Sequence, residues 1–150
     1  MIVSPGSRNR SARPPETNVT CDAVIVGAGF AGMYMLYRLR ELGLSTRVYE
    51  VGGNVGGTWY WNRYPGARCD VESMQYSYTF SEELDQNWSW PEKYSPQPDI
   101  LNYANHVADH FDLRKDIIFD TRVIAATFDE SKERWVVETD RGDCINAQFC

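Results

Sequence analysis

A glycine-rich turn at residues 27–32 is the part of the sequence whose residue types and spacing carry the clearest chemistry. It reads Gly-Ala-Gly-Phe-Ala-Gly and directly follows the apolar run at 23–26. Gly27 permits a tight turn, Gly29 lets the main chain approach a diphosphate, and Gly32 lets a helix pack closely on a strand. Since the amides and the dipole at the start of such a helix attract anions, the turn predicts a dinucleotide site.

Glu50 supplies the second part of this predicted site. It ends the next predicted strand, where a carboxylate accepts hydrogen bonds from both hydroxyls of an adenosine ribose and repels a 2′-phosphate. The site should therefore prefer FAD or NAD over NADP. Further glycines at 52–53 and 56–57 allow close main-chain approach to a longer stretch of ligand, which a plain NAD dehydrogenase does not need. Glycines that serve only a tight turn are the alternative.

These residues must be positioned by a strand, a helix and a second strand. The apolar run at 23–26 suits a buried parallel strand, helical spacing of apolar residues predicts a helix over 30–42, and 45–50 is predicted as the next strand. A unit of this size has a right-handed crossover and parallel strands.

The rest of the chain is predicted as a loop, a helix and further strands. Residues 51–70 form a long ordered loop or a loop with a short helix, and 97–113 form a helix. Short strands separated by turn residues follow as a β-meander, at 117–119, 122–128, 135–139 and 144–149. Residues 1–20, rich in Pro, Ser and Arg, are predicted to be a disordered tail, so that the domain occupies 21–150.

Composition limits the classes of partner. The chain has 150 residues, of which 43% are hydrophobic, so it is expected to form one domain. A net charge of −6 disfavours nucleic acid and anionic membranes and favours a small molecule. No apolar run approaches the roughly 20 residues that span a bilayer, and no signal peptide is evident, which predicts a soluble cytoplasmic protein.

The four cysteines show no CxxC pair and are predicted to be free thiols, namely Cys21, Cys69, Cys144 and Cys150.

Residues 55–70 carry a resemblance to a known family. Their sequence, Val-Gly-Gly-Thr-Trp-Tyr-Trp-Asn-Arg-Tyr-Pro-Gly-Ala-Arg-Cys-Asp, resembles the flavin-edge segment of Baeyer-Villiger monooxygenases. The resemblance runs from about Asp22 to the end of the chain and includes Ser81-Glu82-Glu83 and the start of the helix at Gln97-Pro98. It implies an α/β fold, a Rossmann-like FAD-binding domain with a parallel sheet and a β-meander, incomplete at its carboxyl end.

The resemblance also implies an activity. In that family NADPH reduces FAD, dioxygen adds to the reduced flavin, and one oxygen atom is inserted beside a ketone carbonyl. The implied partners are therefore FAD, NADPH, dioxygen and a ketone, with the oligomeric state left open.

Site residues are carried over from the family position by position. The glycine turn and Glu50 would hold the ADP half of FAD, and Gly56 to Trp59 its diphosphate and flavin part. Asp70 and Tyr76 would lie near the flavin ring, 68–70 would meet the nicotinamide cofactor, and Val123 would contact the adenine. The cofactor-binding residues implied are Gly27, Gly29, Phe30, Ala31, Gly32, Glu50, Gly56, Gly57, Thr58, Trp59, Arg68, Cys69, Asp70, Tyr76 and Val123.

Asp70 is the predicted catalytic residue. An anionic oxygenating site needs a fixed positive charge, and a carboxylate can orient the arginine that supplies it. In the family that arginine lies beyond the residues of this sequence. The alternative is a carboxylate that pins the loop by pairing with Arg63 or Arg68.

Further side chains have both a functional and a structural interpretation. Trp59, Trp61 and Tyr64 could stack on a flavin or fill a core. His106 and His110 have the spacing of metal ligands, but no third ligand is evident and both are predicted to face solvent. The acidic residues of 82–85 are interpreted as a solvated face.

Two competing interpretations of the activity stay open, which are a flavin monooxygenase of nitrogen or sulfur substrates and a non-catalytic nucleotide-binding module. In the family a second glycine motif for NADPH and a histidine-tryptophan signature come later in the chain. The present sequence alone is therefore not expected to turn over, and which ketone is oxidised is left open.

Overall fold

The computed structural model describes residues 14–150, which form one six-stranded sheet with helices against it. The strands are β1 (Thr17–Val26), β2 (Thr46–Tyr49), β3 (Ile117–Ile118), β4 (Val123–Asp129), β5 (Arg134–Thr139) and β6 (Cys144–Phe149). The helices are α1 (Phe30–Glu41), α2 (Thr58–Trp61), α3 (Glu82–Gln86) and α4 (Gln97–His110), with 3₁₀ turns at Ser73–Tyr76 and Arg114–Asp116. The strand order is β3-β2-β1-β6-β5-β4.

The predicted strand-helix-strand unit is confirmed. β1 and β2 pair in parallel from Ala23 opposite Thr46 to Val26 opposite Tyr49, and α1 connects them. Gly43, with a φ of +75°, follows the helix and reverses the chain toward β2. This unit and the parallel β3 confirm an α/β, Rossmann-like sheet.

The predicted four-strand meander is wrong in its first member. β3 pairs in parallel with β2, whereas only β4, β5 and β6 form antiparallel neighbours. The chain leaves β3 at Asp120, whose φ of +54° breaks the strand, and the amide of Thr121 then donates to the carbonyl of Glu50. Spacing along the sequence could not show this, because the partner of β3 lies far upstream.

The predicted boundary between tail and domain is also wrong. β1 begins at Thr17, inside the segment 1–20, because β6 pairs in parallel with its first half from Thr17 opposite Cys144 to Ala23 opposite Phe149. The side chain of Glu16 also pairs with Arg47. Residues 1–13 of the predicted tail lie outside the described residues.

Two hydrophobic clusters define the layers. On one face of the sheet, α1 and α4 bury side chains such as Met33, Leu36 and Val107. On the other, Tyr49 of the parallel part packs with Val137 and Ile145 of the meander strands. Both faces of the sheet thus carry buried apolar side chains, and a cavity lies where β1 ends. Over 14–150 no helix has the length and apolar character needed to cross a bilayer.

Candidate functional site

A cavity of about 700 Å³ lies at the carboxyl end of β1. The fold makes this position a crevice, because β1 and β2 end there while the following loops rise on either side. The lining residues are Val26, Gly27, Gly29, Phe30, Ala31, Gly32, Gly56, Gly57, Thr58, Trp59, Gln75, Tyr76, Ser77 and Tyr78. Ten of the residues that the sequence singled out are thus brought together.

The first wall of the cavity is the glycine turn, which needs glycine for two separate reasons. Gly27 has a φ of +96°, in the region that side chains disfavour. At Gly32 a Cβ would lie 2.0 Å from the carbonyl oxygen of Gly27, so α1 packs on the turn only without a side chain there. The roles predicted for these glycines match their surroundings.

The start of α1 faces the cavity. Its N-cap is Gly29, no side chain caps the helix, and its first turn contains no acidic residue. The first amides of a helix have no partner within the helix, and the dipole gives that end a partial positive charge. The cavity therefore offers main-chain donors to an anion.

A second glycine loop completes this wall. The amide of Gly56 donates to the carbonyl of Ala28 over 3.0 Å. A Cβ at Gly57, whose φ is +53°, would lie 2.9 Å from the Cα of Gly29. The two loops thus touch through main chain alone, and α2 begins directly afterwards.

Glu50 lies behind this wall and is 4% exposed. Its Oε2 accepts a hydrogen bond from the amide of Ala28 over 2.7 Å, and its Oε1 accepts one from the amide of Gly52 over 2.6 Å. The carboxylate therefore ties both glycine loops together. Each oxygen has further lone-pair capacity for a ligand hydroxyl.

Aromatic rings form the opposite wall. The Tyr78 hydroxyl donates to the carbonyl of Phe30, and burial raises the pKa of the Tyr78 phenol. Trp59 meets Tyr76 edge-on, with ring centroids 5.5 Å apart. The side-chain amide of Gln97, at the start of α4, donates to the carbonyl of Trp59 and so holds α2 in place. This wall suits a flat apolar ring system.

Four lining residues were missed by the sequence reasoning, namely Val26, Gln75, Ser77 and Tyr78. The only local signal was the alternation of aromatic residues at 76, 78 and 80. Tyr78 is held by a residue far along the chain, because its main-chain amide donates a hydrogen bond to the Tyr103 hydroxyl of α4 over 2.7 Å.

The loop at 68–70 lies beside the cavity lining. Arg68 pairs with Glu92 over 2.7 Å, and Cys69 is buried. Asp70 is exposed, and within residues 14–150 it has no ion pair, so the alternative of a carboxylate pinned by Arg63 or Arg68 is wrong. Burial raises the pKa of Tyr76, and the charges of Cys69 and Asp70 raise it further.

Val123 starts β4 and is not among the lining residues. Two residues earlier, the amide of Thr121 donates to the carbonyl of Glu50. Val123 therefore lies beyond Glu50 and outside the cavity. Trp61 and Tyr64 are 57% and 63% exposed, so neither fills the core.

The prediction that both histidines face solvent is wrong. His106 packs against Trp88, and His110 packs edge-on against Phe111 with centroids 4.6 Å apart. Across the described ranges no group of three His, Cys, Asp or Glu side chains is arranged to hold a metal ion. All four cysteines are free thiols, as predicted, and the acidic residues of α3 are exposed.

Similarity to known proteins agrees with this geometry. The family of NAD(P)-binding Rossmann-like domains matches residues 25–88. An acetone monooxygenase (methyl acetate-forming) of Gordonia sp. (strain TY-5) is 49% identical over 89% of this chain and 25% of its own. A Baeyer-Villiger monooxygenase of Pseudooceanicola batsensis is 49% identical over 85% of this chain, and a phenazine N-monooxygenase of Lysobacter antibioticus is 46% identical over 85%.

Solved structures share the fold as well as the sequence. An oxidised steroid monooxygenase bound to NADP superposes with a TM-score of 0.84 and 60% identity over 86% of this chain. The match covers 25% of that enzyme, and the chain spans about a quarter of the length of the curated relatives. The chain is homologous to Baeyer-Villiger monooxygenases over about a quarter of their length.

Proposed function

We propose that the chain is the FAD-binding part of an FAD- and NADPH-dependent monooxygenase that inserts one oxygen atom of dioxygen next to a ketone carbonyl, giving an ester or lactone. The relatives that support this assignment are matched over about a quarter of their length. The activity is therefore proposed for a whole protein that contains this segment, and not for the segment alone. A place in the cytoplasm stays a prediction.

One observation carries the proposal. A cavity floored by two touching glycine loops has the uncapped start of α1 on one side and the buried Glu50 carboxylate behind it. The main-chain donors fit a diphosphate, the carboxylate fits the hydroxyls of a ribose, and the aromatic wall fits a flavin ring. These residues therefore fit FAD.

The residues of this chain have distinct roles in the proposed site. The amides of α1 bind the diphosphate, Glu50 binds the ribose, and Trp59 and Tyr76 exclude water from the flavin. Bound FAD supplies transfer of electrons from NADPH to dioxygen. Asp70, exposed and without an ion pair among residues 14–150, is proposed to orient a cation from another part of the whole protein, while Arg68 and Cys69 meet the nicotinamide cofactor.

The test of FAD binding uses the purified chain. We expect FAD to bind with quenched flavin fluorescence, and Glu50→Gln to weaken binding about tenfold, because a charged acceptor becomes a neutral one. Glu83→Gln, at an exposed position of α3, is the matched control and should bind as the parent does. A parent chain that binds NAD but no FAD would contradict the proposal.

Oxidation of nitrogen is the second candidate, favoured by the 46% identity to the phenazine N-monooxygenase. Residues 14–150 grafted into the acetone monooxygenase and into the phenazine enzyme distinguish the two. We expect the graft into the acetone monooxygenase to oxidise ketones with coupled use of NADPH. The graft into the phenazine enzyme should use NADPH without forming a product. N-oxidation by the second graft alone would favour nitrogen chemistry.

A further inference from the structure

Hydrogen bonds from one arginine join the end of α4 to the second glycine loop, which contains Gly56 and Gly57. Arg114 lies in the 3₁₀ turn between α4 and β3. Its Nη1 donates to Asn54 Oδ1 over 2.8 Å, and its Nη2 donates to Asn105 Oδ1 over 2.6 Å. Its Nε donates to a carboxylate of α4, that of Asp109, over 2.6 Å. One guanidinium thus holds two residues of α4 and the residue at the start of the loop.

The two asparagine side chains are oriented by this guanidinium. Asn54 Oδ1 also accepts a hydrogen bond from the amide of Val55 over 2.8 Å, and Asn54 Nδ2 donates to Asn105 Oδ1 over 2.9 Å. Asn105 Nδ2 donates to the carbonyl of Leu101 over 2.7 Å. Turning either amide around would place its NH₂ group against the guanidinium, which accepts no hydrogen bond. Arg114 therefore fixes the direction of both amides, and through Asn54 that of the main chain at Val55.

One face of α4 lies along the second glycine loop. Side chains four residues apart share this face, namely Gln97, Leu101 and Asn105. Gln97 donates to the carbonyl of Trp59, which follows the loop. Leu101 is so close to Gly56 that a Cβ on the glycine would be 2.6 Å from the leucine Cδ1. The loop is therefore packed against α4 along its length, and Arg114 holds the end at which it begins.

The opposite side of the loop meets the glycine turn. The amide of Gly56 donates to the carbonyl of Ala28, and a Cβ at Gly57 would lie 2.9 Å from the Cα of Gly29. Three of these glycines line the cavity. The main chain of the loop thus forms one wall of the cavity, and α4 holds that wall from behind.

We propose that Arg114 is a positioning residue for the proposed FAD site, on which this role rests. Its guanidinium acts through Asn54 and Asn105 to set how closely the second glycine loop approaches the glycine turn, and so how well the cavity fits the diphosphate of FAD. Arg114 does not line the cavity, and its charge is paired with that of Asp109. It therefore contributes the direction of its hydrogen bonds rather than a contact with the ligand.

The shape of the guanidinium matters for this role. It is a rigid planar group whose donors point in fixed directions, whereas a lysine ammonium is a point charge on a flexible stem. Arg114→Lys keeps the charge and loses the fixed geometry, so we expect it to weaken FAD binding as much as Arg114→Met does. Full FAD affinity in the lysine variant would show that charge alone is needed, and would overturn the positioning role.

The experiment compares two ligands on the purified chain. FAD is titrated by the quenching of flavin fluorescence, and AMP, which has the adenosine but only one phosphate, is titrated by calorimetry. We expect Arg114→Met to weaken FAD binding about tenfold and AMP binding less than about twofold, because only FAD reaches across to the second glycine loop. Both titrations use folded chain, so a loss of stability alone would leave the ratio of the two affinities unchanged.

Lys115→Met is the matched control. It removes the same charge from the same turn, where Lys115 pairs with Asp112 and is 53% exposed. Both ligands should bind to this variant as they bind to the parent. An equal loss of FAD affinity in Lys115→Met would show that the charge of the turn, and not the hydrogen bonds of Arg114, sets the affinity.

Asn54→Leu breaks the same connection from the side of the loop. We expect it to weaken FAD binding by the same factor as Arg114→Met, and we expect the double variant to lose about tenfold rather than about a hundredfold, because both changes remove one interaction. A hundredfold loss would mean that the two residues act independently, which contradicts the proposed connection.

Failure of the positioning role is distinguishable from failure of the FAD site. A parent chain that binds no FAD refutes the proposed function and the role of Arg114 with it. If the parent binds FAD, parent-like FAD affinity in Arg114→Met and Asn54→Leu, or equal weakening of FAD and AMP, refutes the role of Arg114 alone. If Arg114→Met does not fold, Arg114→Lys and Asn54→Leu decide by the same ratio of affinities.

Discussion

Gly29 and Gly32 lie one helical turn apart and meet different surroundings. A Cβ at Gly29 would be 3.5 Å from the Cα of Gly57, an ordinary contact, and the φ of −77° suits any residue. A Cβ at Gly32 would be 2.0 Å from the Gly27 carbonyl oxygen. The protein itself therefore leaves room for a side chain at Gly29. This indicates that the glycine is needed for the close approach of a ligand.

The two alanine substitutions should separate binding from folding. We expect Gly29→Ala to lower the free energy of unfolding by at most about 1 kcal/mol and to weaken FAD binding at least about tenfold. Gly32→Ala should lower the free energy of unfolding by about 3 kcal/mol, since main chain must move. Urea unfolding and FAD titration of both variants check this, and unchanged FAD affinity in Gly29→Ala would contradict the diphosphate assignment.

At the scale of elements, a single side chain joins α4 to the short helix α2. Gln97 is 7% exposed, its amide group donates to the carbonyl of Trp59, and its main-chain amide donates to Ala67 over 2.8 Å. We expect Gln97→Leu to lower the free energy of unfolding by about 1–3 kcal/mol, because the carbonyl loses its donor. Urea unfolding measures this. Gln86→Leu, at an exposed position of α3, should change little, and an equal loss there would argue against a specific tie.

Elements built from neighbouring residues were predictable, and elements completed by distant ones were not. The turn at 27–32, the helix after it and Glu50 follow from local spacing, because each depends on residues within one crossover unit. The start of β1 depends on Cys144, and the place of β3 depends on β2, so neither has a local signal. The same limit hid Gln75, Ser77 and Tyr78 of the cavity wall, and Tyr78 is held through α4.

At the scale of the whole molecule, buried phenols make the free energy of unfolding depend on pH in the alkaline range. Burial raises the pKa of Tyr49, Tyr78 and Tyr103 above the ordinary value of 10.0. Unfolding above that pH releases protons that the folded chain holds, so the free energy of unfolding falls as pH rises. Tyr78→Phe should reduce this slope by up to about 1.4 kcal/mol per pH unit. Urea midpoints from about pH 8 to 11 test it, with the exposed Tyr64→Phe as control; an unchanged Tyr78→Phe slope would contradict it.

An apolar groove of about 570 Å³ beside the carboxyl end of β1 should govern how the isolated chain behaves at high concentration. Its side chains include Val26, Met35 and Phe149, which are 59%, 50% and 52% exposed, and the pairing of β1 with β6 ends at Ala23. Exposed apolar surface next to an unpaired strand edge favours association between chains.

Met35→Lys should therefore weaken self-association of the chain about tenfold, equivalent to ~1.4 kcal/mol, because a charge enters the groove. Met74→Lys adds the same charge at a position that is 74% exposed and outside the groove, so it controls for the change in net charge from −6. Sedimentation velocity over a range of concentrations measures the association constant. If both lysine variants weaken association equally, net charge rather than the groove sets it, and the exposed face of β1 and α1 has no special part in it.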